Sequence, residues 1–148
     1  VHYHNRRRVS PELEFGAIFH DNLEQFLGLS QFLSINAPLT PSTAKFLNAQ
    51  SITSLPDGAV VVNTARGGLI DDSALIDALT SGKVAFAGLD VFDGEPKLDR
   101  RYVELDNTFL LPHIGSATVE TRDAMGFCCL DNLEAFFDDK PCPNSLES

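Results

Sequence analysis

Short apolar runs alternate with longer amphipathic stretches along this chain, and the alternation predicts its elements. Val1-His2-Tyr3-His4 reads as the end of a strand, with no polar leader or turn chemistry before it, so the chain is expected to open inside an element. Phe15-Gly16-Ala17-Ile18-Phe19 and Phe32-Leu33-Ser34-Ile35-Asn36 read as further strands, the second stopped by Pro38. Between them Asp21 is placed to cap a helix to about Leu29 with Leu23, Phe26 and Leu27 as its apolar stripe. Two short helical pieces, 42–46 and 49–54, lead into the turn Pro56-Asp57-Gly58. The β-branched run Ala59-Val60-Val61-Val62 then predicts a buried parallel strand.

Asp71 or Asp72 caps the next helix, whose stripe is Leu75, Ile76 and Leu79 and which ends at Gly82. Residues 83–91 and 108–111 predict two more strands. The last helix runs from about Thr118 to Phe137, with Met125, Cys129, Leu130, Leu133 and Phe136 at spacings of three and four, a stripe that needs a cover. Strands alternating with helices of about ten residues argue for a parallel sheet with right-handed crossovers. There is no internal repeat and no low-complexity segment.

Composition narrows the function class. At 148 residues the chain makes one compact unit or part of one, and its formal net charge of -10 opposes binding to nucleic acid or an anionic membrane. Arg6, Arg7 and Arg8 are the local exception. No apolar stretch approaches the roughly 20 residues that span a bilayer, so a soluble protein is expected. Cys128, Cys129 and Cys142 fit neither a disulfide framework nor a zinc spacing, so a reduced, cytoplasmic setting and no metal are expected.

The chemistry concentrates after the strands. Asn63-Thr64-Ala65-Arg66-Gly67 follows the valine run directly and delivers an arginine to the carboxyl edge of a sheet, where open α/β folds bind ligands. A guanidinium holds a carboxylate through two parallel hydrogen bonds while a further N–H polarises a neighbouring carbonyl, a geometry suited to a 2-oxo acid. Gly67 and Gly68 let the chain turn sharply beside it. The alternative is an ordinary surface arginine. Glu95, in Asp90-Val91-Phe92-Asp93-Gly94-Glu95-Pro96, and His113, in Leu110-Leu111-Pro112-His113-Ile114-Gly115-Ser116, follow strands at the same edge. A carboxylate beside a histidine favours the imidazolium and fixes which ring nitrogen faces a substrate; alone, either is equally an ordinary loop residue. Asp90 can cap a turn or accept from a ligand amide. Asn5-Arg6-Arg7-Arg8 is a solvated face or, at the end of the second strand of a dinucleotide fold, a seat for a 2′-phosphate, which favours NADP over NAD.

From Phe26 onward the chain resembles the D-isomer-specific 2-hydroxyacid dehydrogenases. The likeness runs through residues 26–38 and Thr43, through 55–71 around Arg66, through Gly88-Leu89-Asp90-Val91-Phe92 to Glu95-Pro96, and through Pro112-His113-Ile114-Gly115-Ser116-Ala117. Asn5-Arg6-Arg7 and residues 116–122 most resemble the NADP-dependent glyoxylate and hydroxypyruvate reductases within that family.

The resemblance implies a Rossmann-type, doubly wound parallel sheet that reduces a small 2-oxo acid to a D-2-hydroxy acid with NADP, or NAD, as cofactor. It implies that Arg66 binds and polarises substrate, His113 is the general acid, Glu95 keeps His113 protonated and Ser116 lies by the substrate. Asp90 would hold the nicotinamide carboxamide, Ala37, Pro38, Thr64, Ala65 and Gly115 would line the cofactor, and Asn5, Arg6 and Arg7 would take its 2′-phosphate. A homodimer is implied at full length.

One departure is plain: no G-x-G-x-x-G stands anywhere in the chain. The glycine-rich turn, the first strand and the substrate domain of the family are expected upstream of Val1. The chain therefore reads as a carboxyl-terminal fragment, with 1–115 a partial cofactor domain and 116–148 a helix and tail for the absent domain. Its first strand would belong between the strands at His4 and Leu33. Rival readings are phosphoglycerate or D-lactate dehydrogenases of the same family, a non-catalytic dinucleotide-sensing scaffold, and an inactive fragment. Formate dehydrogenases carry glutamine at the place of Glu95.

Overall fold

The computed structural model describes residues 1–145, and the chain divides into two compact units, Val1–Pro112 and His113–Ser148. In the first unit β1 (His2–His4) pairs in parallel with β2 (Ile18–His20), and α1 (Leu23–Gly28) packs against both. A second, four-stranded parallel sheet follows in the order β3-β4-β5-β6, formed by Phe32–Ile35, Ala59–Asn63, Val84–Leu89 and Thr108–Leu110. Its crossovers carry α2 (Ala49–Ser54) and α3 (Asp72–Ser81). This is the expected parallel α/β architecture. β1 and β3 have a single ladder partner each, β2 and β4, which leaves an edge free on both sheets.

Side-chain alternation splits the larger sheet into a covered and an open face. Leu33, Ile35, Ala59, Val61, Ala87 and Leu89 are buried with Leu27, Ile52, Leu55, Leu75, Ile76 and Leu79 in one continuous core. Phe32, Val62, Phe86 and Phe109 point the other way and are exposed, Phe32 at 79% and Phe109 at 58%. The valine run is thus buried at Val61 alone of its three valines, not throughout as the sequence predicts, because α2 and α3 line only one face. An extra residue, Ala85, enters β5 opposite the step from Ala59 to Val60, so that Val84 and then Ala87 and Leu89 share the buried face.

The helix ends follow local chemistry. Asn22, rather than Asp21, caps α1, its Oδ1 accepting the Gln25 N–H at 2.9 Å. Asp71 caps α3, and Gly82 closes it at φ +79°, a left-handed conformation that glycine enters without a Cβ penalty. Residues 42–46 form turns in place of the predicted helix. Thr43 Oγ1 donates to the Pro38 carbonyl at 2.7 Å and accepts the Thr40 N–H, while Lys45 sits at φ +50° and the chain continues into an extended bridge from Leu47 to Ile70. The strand predicted from Phe15 begins only at Ile18, since Phe15 and Gly16 turn the chain at positive φ.

Tyr102, on a short 3-10 turn over Arg100–Glu104, is fully buried and donates to Asp72 Oδ1 at 2.9 Å in the first turn of α3. Burial raises both the tyrosine hydroxyl and the Asp72 carboxyl above their ordinary values. In the second unit Thr118 caps the long helix α4 (Val119–Phe137). Met125, Leu130, Leu133 and Phe136 of its stripe are exposed.

Candidate active site

Four neighbouring strands run in the same direction, so β3 to β6 all end at one edge, and the chemistry-bearing loops leave from there. The loop after β4 is the most firmly built. Asn63, the last residue of the strand, has no exposed surface, and its amide is satisfied within the next turn. Asn63 Oδ1 accepts the Ala65 N–H at 3.0 Å and Nδ2 donates to the Arg66 carbonyl at 3.0 Å. Arg66 leaves this turn with extended backbone (φ -147°, ψ 140°) and an exposed side chain, whose Nη1 donates to the Ala65 carbonyl at 2.6 Å.

Gly67 follows, buried at the head of a short 3-10 turn, Gly67–Leu69. Its φ is not positive, so the turn itself does not demand glycine. Space does: a Cβ here would stand 1.9 Å from the Phe92 carbonyl carbon and 2.2 Å from the Asp93 nitrogen. The loops after β4 and β5 therefore touch backbone to backbone. On the β5 side the Asp90 N–H donates to the Asn63 carbonyl at 3.0 Å, with Asp90 only 5% exposed, and Glu95 Oε1 accepts the Phe92 N–H at 2.8 Å. Arg66 and Glu95 are thus carried by two turns that brace one another.

A cleft of about 680 Å³ lies between the loop after β3 and the arginine turn after β4, lined by Asn36, Ala37, Pro38, Leu39, Ala65 and Arg66. Thr43, by holding the Pro38 carbonyl, fastens one wall. Thr64 is exposed next to Ala65. Small apolar walls beside a guanidinium, with a buried carboxyl residue ending the adjacent strand, fit a planar heteroaromatic ring with an anion next to it. Ala37, Pro38, Ala65 and Arg66 thus line one cleft.

Asn5, Arg6 and Arg7 are exposed on the loop after β1, with Asn5 Oδ1 accepting the Arg6 N–H at 2.9 Å. His113, Gly115 and Ser116 open the second unit and are exposed. His113 adopts φ +54°, in the left-handed region, three residues after the end of β6. Among the described residues no group of three or more His, Cys, Asp or Glu is arranged to hold a metal, and no helix is long and apolar enough to cross a membrane. Two residues that matter were not singled out for their role by sequence reasoning. Asn63 had a signal, an amide side chain at a strand end before a turn, whereas the contact that requires Gly67 has none in the local sequence.

A parallel α/β sheet with a ligand cleft at the carboxyl ends of its strands, an arginine at the lip and an interlocked acidic loop defines the class: a dinucleotide-binding domain. Residues 1–115 match the D-isomer specific 2-hydroxyacid dehydrogenase, NAD binding domain, and the chain belongs to that family. It is 49% identical over 133 residues to a glycerate dehydrogenase of Hyphomicrobium methylovorum, covering 90% of this chain and 41% of that protein. It is 43% identical to glyoxylate reductase 1 of Saccharomyces cerevisiae, covering 89% of this chain and 37% of that protein. Among solved structures, an NADPH-dependent glyoxylate/hydroxypyruvate reductase from Sinorhizobium meliloti, in complex with NADP and malonate, superposes with a TM-score of 0.89 at 35% identity, covering 97% of this chain and 44% of that one. The chain spans about two fifths of the length of the curated relatives it matches.

Proposed function

We propose that this chain carries the cofactor side of an enzyme that reduces glyoxylate or hydroxypyruvate to the D-2-hydroxy acid, with NADPH preferred to NADH. The observation that carries the reading is Arg66, held by Asn63 on a pinned turn at the lip of a small-residue cleft. The names of its relatives, a glycerate dehydrogenase, a glyoxylate reductase and an NADPH-dependent glyoxylate/hydroxypyruvate reductase, support the substrate class.

In this reading Arg66 clamps the substrate carboxylate and places one N–H against the 2-oxo group, stabilising the charge that grows on that oxygen. His113 donates the proton to the same oxygen, and Glu95 holds the imidazole protonated until it does so. The left-handed backbone of His113 supports such a role, since sparsely populated conformations gather at functional positions. Ser116 borders the substrate. Asp90 accepts from the nicotinamide carboxamide; Ala37, Pro38, Thr64, Ala65 and Gly115 line the ring; Asn5, Arg6 and Arg7 hold the 2′-phosphate. The dinucleotide, when bound, supplies the hydride.

Initial rates of glyoxylate and hydroxypyruvate reduction by the protein at its full natural length test this. A lower KM for NADPH than for NADH is expected; a preference for NADH overturns the cofactor assignment, and no reduction of either acid overturns the activity. The 148 residues by themselves are expected to give no measurable turnover, because their sequence holds no glycine-rich phosphate turn. Turnover from the purified 148-residue chain would refute that.

A further inference from the structure

The loop after β1 carries three consecutive arginines, but they are not equivalent. Arg8 is engaged twice by one carboxylate: its Nε donates to Glu14 Oε1 at 2.7 Å and its Nη2 to Glu14 Oε2 at 2.9 Å. The Tyr3 hydroxyl donates to Glu14 Oε1 at 2.6 Å and accepts the Val9 N–H at 3.3 Å, and its ring packs against Phe19 of β2. Glu14 is the far end of the loop, so β1, the middle of the loop and its return are tied at one carboxylate. The near end is fastened too, by His4 Nδ1 donating to the His20 carbonyl at 2.8 Å. Arg6 and Arg7 make no ion pair among the described residues.

From this geometry we infer that Tyr3, Arg8 and Glu14 are positioning residues for cofactor choice, a clasp that shapes the loop so that Arg6 and Arg7 meet a 2′-phosphate while Arg8 is withheld from it. The inference rests on the proposed use of Arg6 and Arg7 and adds what that use does not contain: the third arginine serves the loop, not the ligand. A fork-shaped guanidinium held on both nitrogens by a carboxylate has little left for a second anion, and a loop fixed at its return loses less freedom when a phosphate binds. The Arg8 guanidinium, and after it the Tyr3 hydroxyl, hold Glu14 down from its ordinary 4.5 to about 2. A carboxyl depressed in the folded state stabilises it fully above its ordinary value and loses that effect as pH falls toward the depressed one, so the clasp is whole above about pH 4.5 and opens as pH falls toward about 2.

The competing arrangement, Arg8 as a phosphate ligand restrained by Glu14, makes the opposite forecast for one substitution. Steady-state kinetics at pH 7.5 on the protein at full natural length compare KM for NADPH and NADH in Glu14→Gln, Arg8→Ala, Tyr3→Phe and the double variant Arg6→Ala/Arg7→Ala, and calorimetry gives Kd for adenosine 2′,5′-bisphosphate and for AMP. We expect Glu14→Gln and Arg8→Ala each to raise KM for NADPH and Kd for the bisphosphate about three- to fivefold, in keeping with an ion pair whose guanidinium is exposed and whose carboxylate is largely covered, with NADH, AMP and kcat unmoved and Arg8→Lys restoring part of the loss. Tyr3→Phe, a substitution that leaves the ring in place, gives a smaller change in the same direction. If Glu14→Gln leaves NADPH binding unchanged or tightens it, the clasp is wrong and Arg8 is a ligand or idle. Equal losses for NADPH and NADH also overturn it, by reducing the cluster to a structural fastening. If Arg6→Ala/Arg7→Ala leaves the NADPH-to-NADH ratio unmoved, the cofactor reading fails and the inference falls with it; a shift there with none in Glu14→Gln sinks the inference alone.

Discussion

Replacing Gly67 by alanine is expected to cost about 3 kcal/mol or more of folding stability, a large effect for one methyl group. The added carbon would lie 1.9 Å from the Phe92 carbonyl carbon and 2.2 Å from its oxygen, distances that no rotamer can relieve because the obstacle is a peptide unit. That peptide unit heads the turn on which Glu95 Oε1 accepts the Phe92 N–H, so either the arginine loop or the glutamate loop must swing away. Urea unfolding of Gly67→Ala against Gly68→Ala checks the argument. At Gly68 a Cβ would press on the tips of Leu39, Cδ2 at 3.1 Å and Cδ1 at 3.4 Å, which can rotate aside, and would touch Asp93 Oδ1 at an ordinary 3.7 Å, so a loss under about 1 kcal/mol is expected. Similar losses at the two positions would mean that the close approach of the two loops is not what requires glycine.

The second large effect falls on catalysis. In the protein at full natural length, Arg66→Ala is expected to lower kcat/KM for glyoxylate about 10³-fold and Arg66→Lys about 10²-fold, with little change in stability, since the side chain is exposed. The reasoning turns on shape as well as charge. A guanidinium on an extended backbone presents two parallel donors to a carboxylate and keeps a third for the carbonyl, whereas an ammonium supplies the charge without the fork. An unchanged kcat/KM in Arg66→Ala would remove this residue from the site, and equal activity in the lysine variant would leave charge alone as its contribution.

Much of this site was legible because its residues stand where strands stop. Apolar runs located β3, β4, β5 and β6 to within a residue or two, and a parallel sheet sends every strand end to one edge, so the arginine turn and the acidic loop could be assigned to a common side. What escaped was long-range or competitive. Gly67 reads from sequence as a residue that lets the chain turn sharply beside Arg66, yet it is required by a backbone close in space and 25 or so residues away in the chain. Residues 42–46 have acceptable helix propensity, but threonine hydroxyls bonded to local backbone and a bridge to Ile70 offered a better arrangement. The cap of α1 moved one residue because asparagine and aspartate compete for the same role and only the chain's path decides. The open face of the sheet was hidden for a related reason: periodicity reports that a strand can be buried, whereas what lies over it is decided elsewhere.

Ala85 carries no charge and donates nothing from its side chain; with Phe86 it doubles the residues opposite one step of β4, a spare unit in its strand. Excising that single alanine would leave Val84 opposite Ala59, Phe86 opposite Val60 and Ala87 opposite Val61, so that Val84, Ala87 and Leu89 still meet the core and Phe86 still looks outward. The polypeptide would quit the sheet in the same phase, and the segment bearing Asp90 and Glu95 would emerge on the same side. A residue added between Ala87 and Leu89 has no such slack to draw on: it would turn Leu89 outward and send those acids off half a pleat out of step, so the two ends of one strand should differ sharply in their tolerance of a change in length.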